Sequence, residues 1–502
     1  MSENNHDHLS NGDAFFLYLE RAGQPINVAA LCVCEGSISL EDCIASVESK
    51  LPLTPRYRQR VVAPPFNIGL PSWEYDQQFN IRNHVREVKL ERGTDAELKA
   101  TAAGILGDKL DRSRPLWDIT LLRGLKGNRT GVIVRFHHCL ADGISGVGLL
   151  NVLMDPSPMA PLPAHQEQRF HALPAGRAMT SLLGNLVHSC FSTFSRLVTA
   201  ESELLDVAQL VIAAAKPSQQ ADTTGFNSGG RIPTLDQLRR LMPELLAPTE
   251  RLPFNVVCYG PHKFHSAELP VAQMRAAKRA CGATLNDVVL ALVTSAIRRY
   301  AELHGVPVKG RLLRIIVPVS VRGKGDVTDL GNRITFLPLT IPLDIRNPIE
   351  LIAAIRERLA FLKNVHVAEL VSLAGTLLGT IPPPAQALAG PIASQLPLSL
   401  CNTICTNVPG PKVPLYLIGH RMLACYPYVA TSSDLGMNCA ILTYNGTAYF
   451  GFTGDVHAMP DVERLGKFLR MSFAELRKAV AIRAARSDRA RSIPARRASR
   501  VR

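Results

Sequence analysis

Along this 502-residue chain the spacing of apolar positions changes repeatedly between a helical and a strand period. A helix is expected to open at Ser10, with Asp13 three residues on, in a capping-box-like pattern ahead of AFFLYLE. NVAALCVCEG, with Cys32 and Cys34 alternating on one face, reads as a strand, as do RPLWDITLLRGL and GVIVRF. After Gly148 the pattern breaks into the Pro-rich stretch MDPSPMAPLPAHQEQ, of the kind that separates domains. Helical periodicity returns from Thr180 to Lys216, where Leu183, Leu186, Val187, Cys190, Phe194 and Leu197 form an apolar stripe. A Gly/Ser/Thr-rich loop, KPSQQADTTGFNSGGRIP, follows. The remainder mixes the helical run VVLALVTSAI with the strands LLRIIVPVSVR and ITFLPLTIPL and the hairpin NCAILTYNGTAYFGFTG, whose Asn445-Gly446 signals a type I′ turn.

The pattern predicts two α/β halves joined by a long crossover. The N-terminal half spans 1–155, a linker with amphipathic helices 156–235, the C-terminal half 236–476 and a tail 477–502. The stripe of the linker suits burial against the body, with a membrane-facing role as the alternative.

Composition narrows the class. Hydrophobic residues make up 46% and charged residues 20%, as in a folded globular chain. No secretory signal and no clean spanning helix are expected; the most apolar region, Val365 to Ile404, is interrupted by Glu369 and Pro382-Pro383-Pro384. The net charge of +14 is concentrated at one end, where Arg477 to Arg502 hold ten Lys/Arg and one Asp. This stretch is expected to be disordered and either solvated or held at an anionic membrane surface. No nucleic-acid-binding pattern accompanies it, and no specific nucleic-acid partner is expected. Eleven scattered cysteines without a C-x-x-C motif read as reduced, mostly buried thiols.

The most specific chemistry lies in VIVRFHHCLADGISG, Val132 to Gly146. If GVIVRFHH is one strand, His138 shares a face with Val134 and Phe136, and His137 shares the other with Arg135. Opposite faces weaken a two-histidine metal clamp, and no third ligand stands at a suitable spacing, so no metal is expected. A neutral imidazole suits deprotonation of a hydroxyl near neutral pH. Ser145 lacks the G-x-S-x-G setting of an acyl-serine enzyme. A base without a covalent nucleophile points to direct transfer between two bound substrates.

His137, His138, Asp142 and Gly143 form H-H-x-x-x-D-G, which resembles the signature of coenzyme A-dependent acyltransferases. Further blocks are similar to the bacterial wax ester synthase/diacylglycerol acyltransferase family. They are LSNGDAFFLYLE, PRYRQR, Pro115-Leu116-Trp117, Asn286-Asp287, VPVSVR with LGNRITFLPL, TNVPGPKVPLYLIG and YNGTAYFGFTGD. They run in family order from about residue 9 to 475, with the linker and tail matching poorly. Asn11-Gly12 replaces the family's usual Pro-Leu, and Thr406 its usual Ser.

The resemblance implies a fold like chloramphenicol acetyltransferase: two α/β halves with mixed sheets and a central tunnel between them. Acyl-coenzyme A is the implied co-substrate, with no permanently bound cofactor, and diacylglycerol or a long-chain alcohol the acceptor. His138 is the implied general base and His137 its positioning neighbour. Asp142 is a structural brace with Arg322 as candidate partner, and Gly143 gives the backbone room. Pro115, Leu116 and Trp117 either pack the halves or touch substrate. Asn286 and Asp287 cap a helix or line the tunnel; Thr406, Asn407 and Gly410 contact the coenzyme or shape the crossover between halves. The expected location is cytoplasmic, peripheral to the inner membrane face or lipid inclusions. Two other readings stay open: acyl transfer to another alcohol or amine such as a polyketide, and a non-catalytic lipid-inclusion protein.

Overall fold

The computed structural model describes residues 8–141, 150, 152–159, 249–320, 334–364, 367, 383–393 and 401–498. Asp142, Gly143, Arg322 and the 180–216 stripe lie outside the described residues. The first half contains α1 (Asn11–Leu19), β1 (Asn27–Glu35), α2 (Leu40–Lys50), β2 (Gln59–Val62), β3 (Ser72–Tyr75), β4 (Val85–Lys89), α3 (Asp95–Gly107), β5 (Trp117–Leu125) and β6 (Arg129–His137). The second begins with β7 (His262–Pro270), α4 (Val271–Cys281), α5 (Leu285–Leu303), β8 (Leu312–Ser320), β9 (Ile334–Pro342), α6 (Pro348–Asn364) and α7 (Pro383–Ala393). It continues with β10 (Thr403–Pro409), β11 (Tyr416–Leu417), β12 (His420–Val429), β13 (Met437–Tyr444), β14 (Thr447–Asp455) and α8 (Glu463–Ala498).

Two six-stranded mixed sheets result, in the orders β11-β12-β1-β6-β5-β4 and β7-β14-β13-β10-β8-β9. The first is antiparallel except for β4–β5; in the second, β10 runs parallel to both β8 and β13. One strand pair crosses the expected division into halves. β11 and β12 come from the C-terminal segment yet complete the N-terminal sheet, with β12 antiparallel to β1 from Val28↔Val429 to Cys34↔Met422. Contact between the sheets is close where β14 passes β12: a Cβ on Gly451 would stand 1.8 Å from the Pro427 carbonyl oxygen, so only glycine fits there.

Local signals explain most elements. Ser10 caps α1, its Oγ accepting from the Asp13 N–H at 3.1 Å and donating to the Asp13 carboxylate at 2.6 Å. The Asn445-Gly446 turn has positive φ at both residues (44° and 85°), as a type I′ hairpin requires. β6 is buried on both faces from Thr130 to His137, because it is a central strand covered above and below. The run from Asp287 to Arg298 in α5 is likewise buried all round, in a core shared with α6 and α8.

Two sequence expectations change. β6 ends at His137, and His138 stands in the following turn, so strand alternation stops short of it. The basic stretch from Arg477 to Ala498, expected to be disordered, continues α8 as helix. Its helical course follows from the packed turns before it, where Leu465, Leu469, Phe473 and Leu476 are buried and nucleate the remainder. Among the described residues no single helix is long and apolar enough to cross a membrane, and no metal-holding cluster occurs. The ten described cysteines are all free thiols, nine of them buried.

Candidate active site

His137 closes β6 in a sealed setting. Its N–H donates to the Leu116 carbonyl at 3.0 Å, and the residue has no exposed surface. Ring Nδ1 accepts from the Cys139 N–H at 3.1 Å, which assigns the ring proton to Nε2. That nitrogen lies 3.6 Å from Glu20 Oε1, longer than a hydrogen bond. Glu20 ends α1 with a buried carboxylate, a placement that the negative end of the helix disfavours. Arg112 answers it with a forked contact to Oε2 at 3.1 and 2.8 Å and a bond to the Leu17 carbonyl at 2.7 Å; Lys109 stands 3.7 Å away.

The electrostatics of His137 follow. Burial holds its pKa well below the ordinary histidine range, and the nearby basic groups Arg112, His138 and Lys109 push the same way. The contact with Glu20 is thus between a neutral imidazole and a carboxylate whose charge is already met by Arg112.

His138 differs. It is half-buried, its N–H donates to the Ile26 carbonyl at 2.9 Å, and its ring stacks on Phe16 at 4.0 Å with 22° between planes. Phe16 and Glu20 are four residues apart, so α1 and its cap present both to the histidine pair from one side. The segment after α1 is held in turn by the second half. Gln24 Nε2 donates to the Cys258 carbonyl at 2.5 Å and its Oε1 accepts from the Ser433 N–H at 3.0 Å. A Cβ at Gly23 (φ +73°) would strike the Tyr259 carbonyl oxygen at 2.2 Å. The loop that supports His138 therefore depends on both halves.

Behind the pair, Arg135 forks onto Asp118 at 2.8 and 2.6 Å and bonds the carbonyls of Asp108 (2.7 Å) and Ile105, fastening β6 to the end of α3. Pro115, Leu116 and Trp117 are buried packing residues. Trp117 Nε1 donates to the Tyr57 carbonyl at 2.7 Å and its ring stacks on His84 at 4.6 Å. Leu116 reaches the site through its backbone alone, as the acceptor for His137.

In the second half, Asp287 completes a capping box with Thr284: its carboxylate accepts from the Thr284 N–H at 2.7 Å and its N–H donates to Thr284 Oγ1 at 3.1 Å. Asn286 Oδ1 accepts from Asn407 Nδ2 at 3.2 Å, so two separate sequence blocks meet at the start of α5. Thr406 is half-buried opposite Ala440, while Gly410 lets its backbone approach β13, where a Cβ would lie 2.3 Å from the Thr443 carbonyl oxygen. Structure thus joins Leu116 to His137 and Asn286 to Asn407. It also adds Phe16 and Glu20, which the sequence places within a family block without a role, and Arg112, which it does not single out. A glutamate closing an otherwise apolar helix was their available signal.

The arrangement has relatives. Residues 9–289 match the model of the wax ester synthase/diacylglycerol acyltransferase catalytic domain, and 330–477 match the C-terminal domain of the same family. A probable diacylglycerol O-acyltransferase of Mycobacterium tuberculosis is 27% identical over 484 residues, covering 94% of this chain and 96% of its own. The wax ester synthase/diacylglycerol acyltransferase of Marinobacter aquaeolei superposes with a TM-score of 0.62 at 21% identity, covering 94% of this chain and all of that one. A starter condensation domain of rhizomide synthetase, solved with C8-CoA, gives 0.54 at 14% identity, covering 94% of each chain. Two mixed sheets, joined by the exchange of β11 and β12, carry this histidine pair at the end of a central strand, and the match to the catalytic domain makes the protein an acyltransferase. The chain belongs to the wax ester synthase/diacylglycerol acyltransferase family.

Proposed function

We propose that the protein transfers a fatty acyl group from acyl-coenzyme A to diacylglycerol, or to a long-chain alcohol, with His138 as general base. The observation that carries this reading is the contrast within the pair: His137 is sealed and neutral, while His138 is half-buried beside it. In the proposed step His138 takes the hydroxyl proton as the acceptor oxygen attacks the thioester carbonyl. The new C–O bond forms, the C–S bond breaks, and the proton passes to the departing coenzyme A sulfur. General-base assistance of this kind contributes roughly 10²–10⁴ in rate.

Direct transfer without an acyl-enzyme is supported by Cys139, the nucleophilic side chain next to the pair. Burial, with Asp13 adding to it, raises its thiol pKa well above the usual range, and its side chain is enclosed. Acyl-coenzyme A and lipid acceptor would meet in a tunnel between the sheets, at the inner face of the membrane or on lipid inclusions.

Purified protein incubated with radiolabelled acyl-coenzyme A and a panel of acceptors tests the assignment. Labelled triacylglycerol or wax ester is the expected product. Label appearing only on a polyketide diol or an amine would overturn it in favour of the other acceptor class, and no transfer to any acceptor would favour a lipid-binding protein.

A further inference from the structure

The β2–β3 hairpin ends in an uncharged tip, VVAPPFNIGLPSW from Val61 to Trp73, with a short 3-10 turn at Pro65–Asn67. Phe66 at that tip is 87% exposed and has φ +56°, a backbone region that a bulky side chain rarely occupies. α7 packs against this turn and against α1, so closely that a Cβ on Gly390 would meet the Tyr18 carbonyl oxygen at 2.8 Å. α7 also has no charged residue, and its Leu388 and Ile392 are 74% and 62% exposed. Phe15, on the helix whose next residue stacks on His138, is exposed as well. Isolated exposed apolar side chains are ordinary, but here three packed elements present five of them, Ile68 included, and the hairpin tip and α7 carry no charge.

Charge selects the occupant. From Leu51 to Trp73 the chain carries Arg56, Arg58 and Arg60 and no acid, so the arm leading to the tip is basic, with Glu74 and Asp76 following on the returning side. The guanidinium groups of Arg56 and Arg58 lie over Trp73 at 4.7 Å and Phe79 at 5.4 Å, holding positive charge at the base of the apolar tip. Arg60 stands across from Glu74 in the hairpin register. An apolar tip above a basic base matches acyl chains beneath anionic headgroups.

We propose that the hairpin tip, α7 and the outer face of α1 form a docking face for an anionic phospholipid bilayer. Docking there brings the helix that carries Phe16, and with it His138, against the phase in which a lipid acceptor is dissolved. This purpose rests on the proposed acyl transfer; the docking itself does not.

Flotation of the full-length protein with vesicles of phosphatidylcholine mixed with phosphatidylglycerol tests the face, alongside turnover of a water-soluble short-chain alcohol. Phe66→Asp and the pair Leu388→Asp/Ile392→Asp are expected to reduce vesicle capture about tenfold or more and to leave soluble turnover unchanged. Aspartate accepts positive φ more readily than phenylalanine, so the first variant keeps its fold. Leu303→Asp, exposed on α5, is the control and should float like wild type. Capture on phosphatidylcholine alone should be severalfold weaker. Undiminished flotation of the tip variants, equal loss in Leu303→Asp, or equal capture by neutral vesicles would overturn the proposal. Flotation that depends on Phe66 in a protein with no acyl transfer to any acceptor would uphold the docking face and remove the enzymatic reading instead.

Discussion

Behind the histidine pair, His137 is enclosed by Leu116, Cys139 and Glu20; in front, half-buried His138 lies with its ring on Phe16. Both are supported by the same helix, but the supports differ in kind. The rear is polar and charge-balanced, built from Glu20 with Arg112 and from Asp118 with Arg135. At the front the ring of His138 is stacked on an aromatic side chain. A carboxylate 3.6 Å from an imidazole would ordinarily favour the charged ring, yet burial and the cations beside Glu20 win at His137. Adjacent histidines in one motif can thus be a rigid neutral support and an accessible base.

The largest stability effect should come from opening the rear. Arg135→Met leaves Asp118 buried with Arg86 at 3.6 Å and should cost about 3–5 kcal/mol in urea denaturation. A loss below about 1 kcal/mol would show that the ion pair does not hold β6. Glu20→Ala should cost less, about 1–3 kcal/mol, because the Arg112 side chain is partly exposed and can turn to water. Acyl transfer should fall with it, while Glu20→Gln, which keeps the shape, should recover part of the stability.

Acid sharpens the same comparison. His137 and His84 are lowered by burial, and His262 is pushed down to about 4 by burial between Tyr428 and Thr431. The unfolded chain then binds more protons than the folded one below about pH 6.5, so stability is full above that value and declines as pH falls towards 4. Each such group contributes up to about 1.4 kcal/mol per pH unit. His262→Gln should flatten the slope of denaturation midpoint against pH; an unchanged slope would place the proton uptake elsewhere. Smallest of all, Asn407→Ala removes one half-buried hydrogen bond to Asn286 and should cost about 0.5–1.5 kcal/mol, read by the same denaturation assay.

Much of this frame was legible in local signals. Ser10, Asn445-Gly446 and the strand-like runs declared their elements because caps, turns and apolar periodicity act over a few residues. The two halves and the class of chemistry followed from motif order. What stayed hidden depends on distant pairing. Nothing near residues 420–429 signals that β12 crosses to the other sheet, and Arg112 is an ordinary basic residue until α1 brings Glu20 to it. The helical course of 477–498 was missed because composition speaks for the stretch alone, whereas its packed start at 465–476 carries it.

The central claim concerns one imidazole. Turnover of acyl-coenzyme A by purified His138→Ala, set beside its unfolding midpoint, tests it most directly. Loss of roughly 10²–10⁴ in kcat with the midpoint within a few degrees of wild type is the expected result. A folded His138→Ala protein that forms ester at near wild-type rate would contradict it.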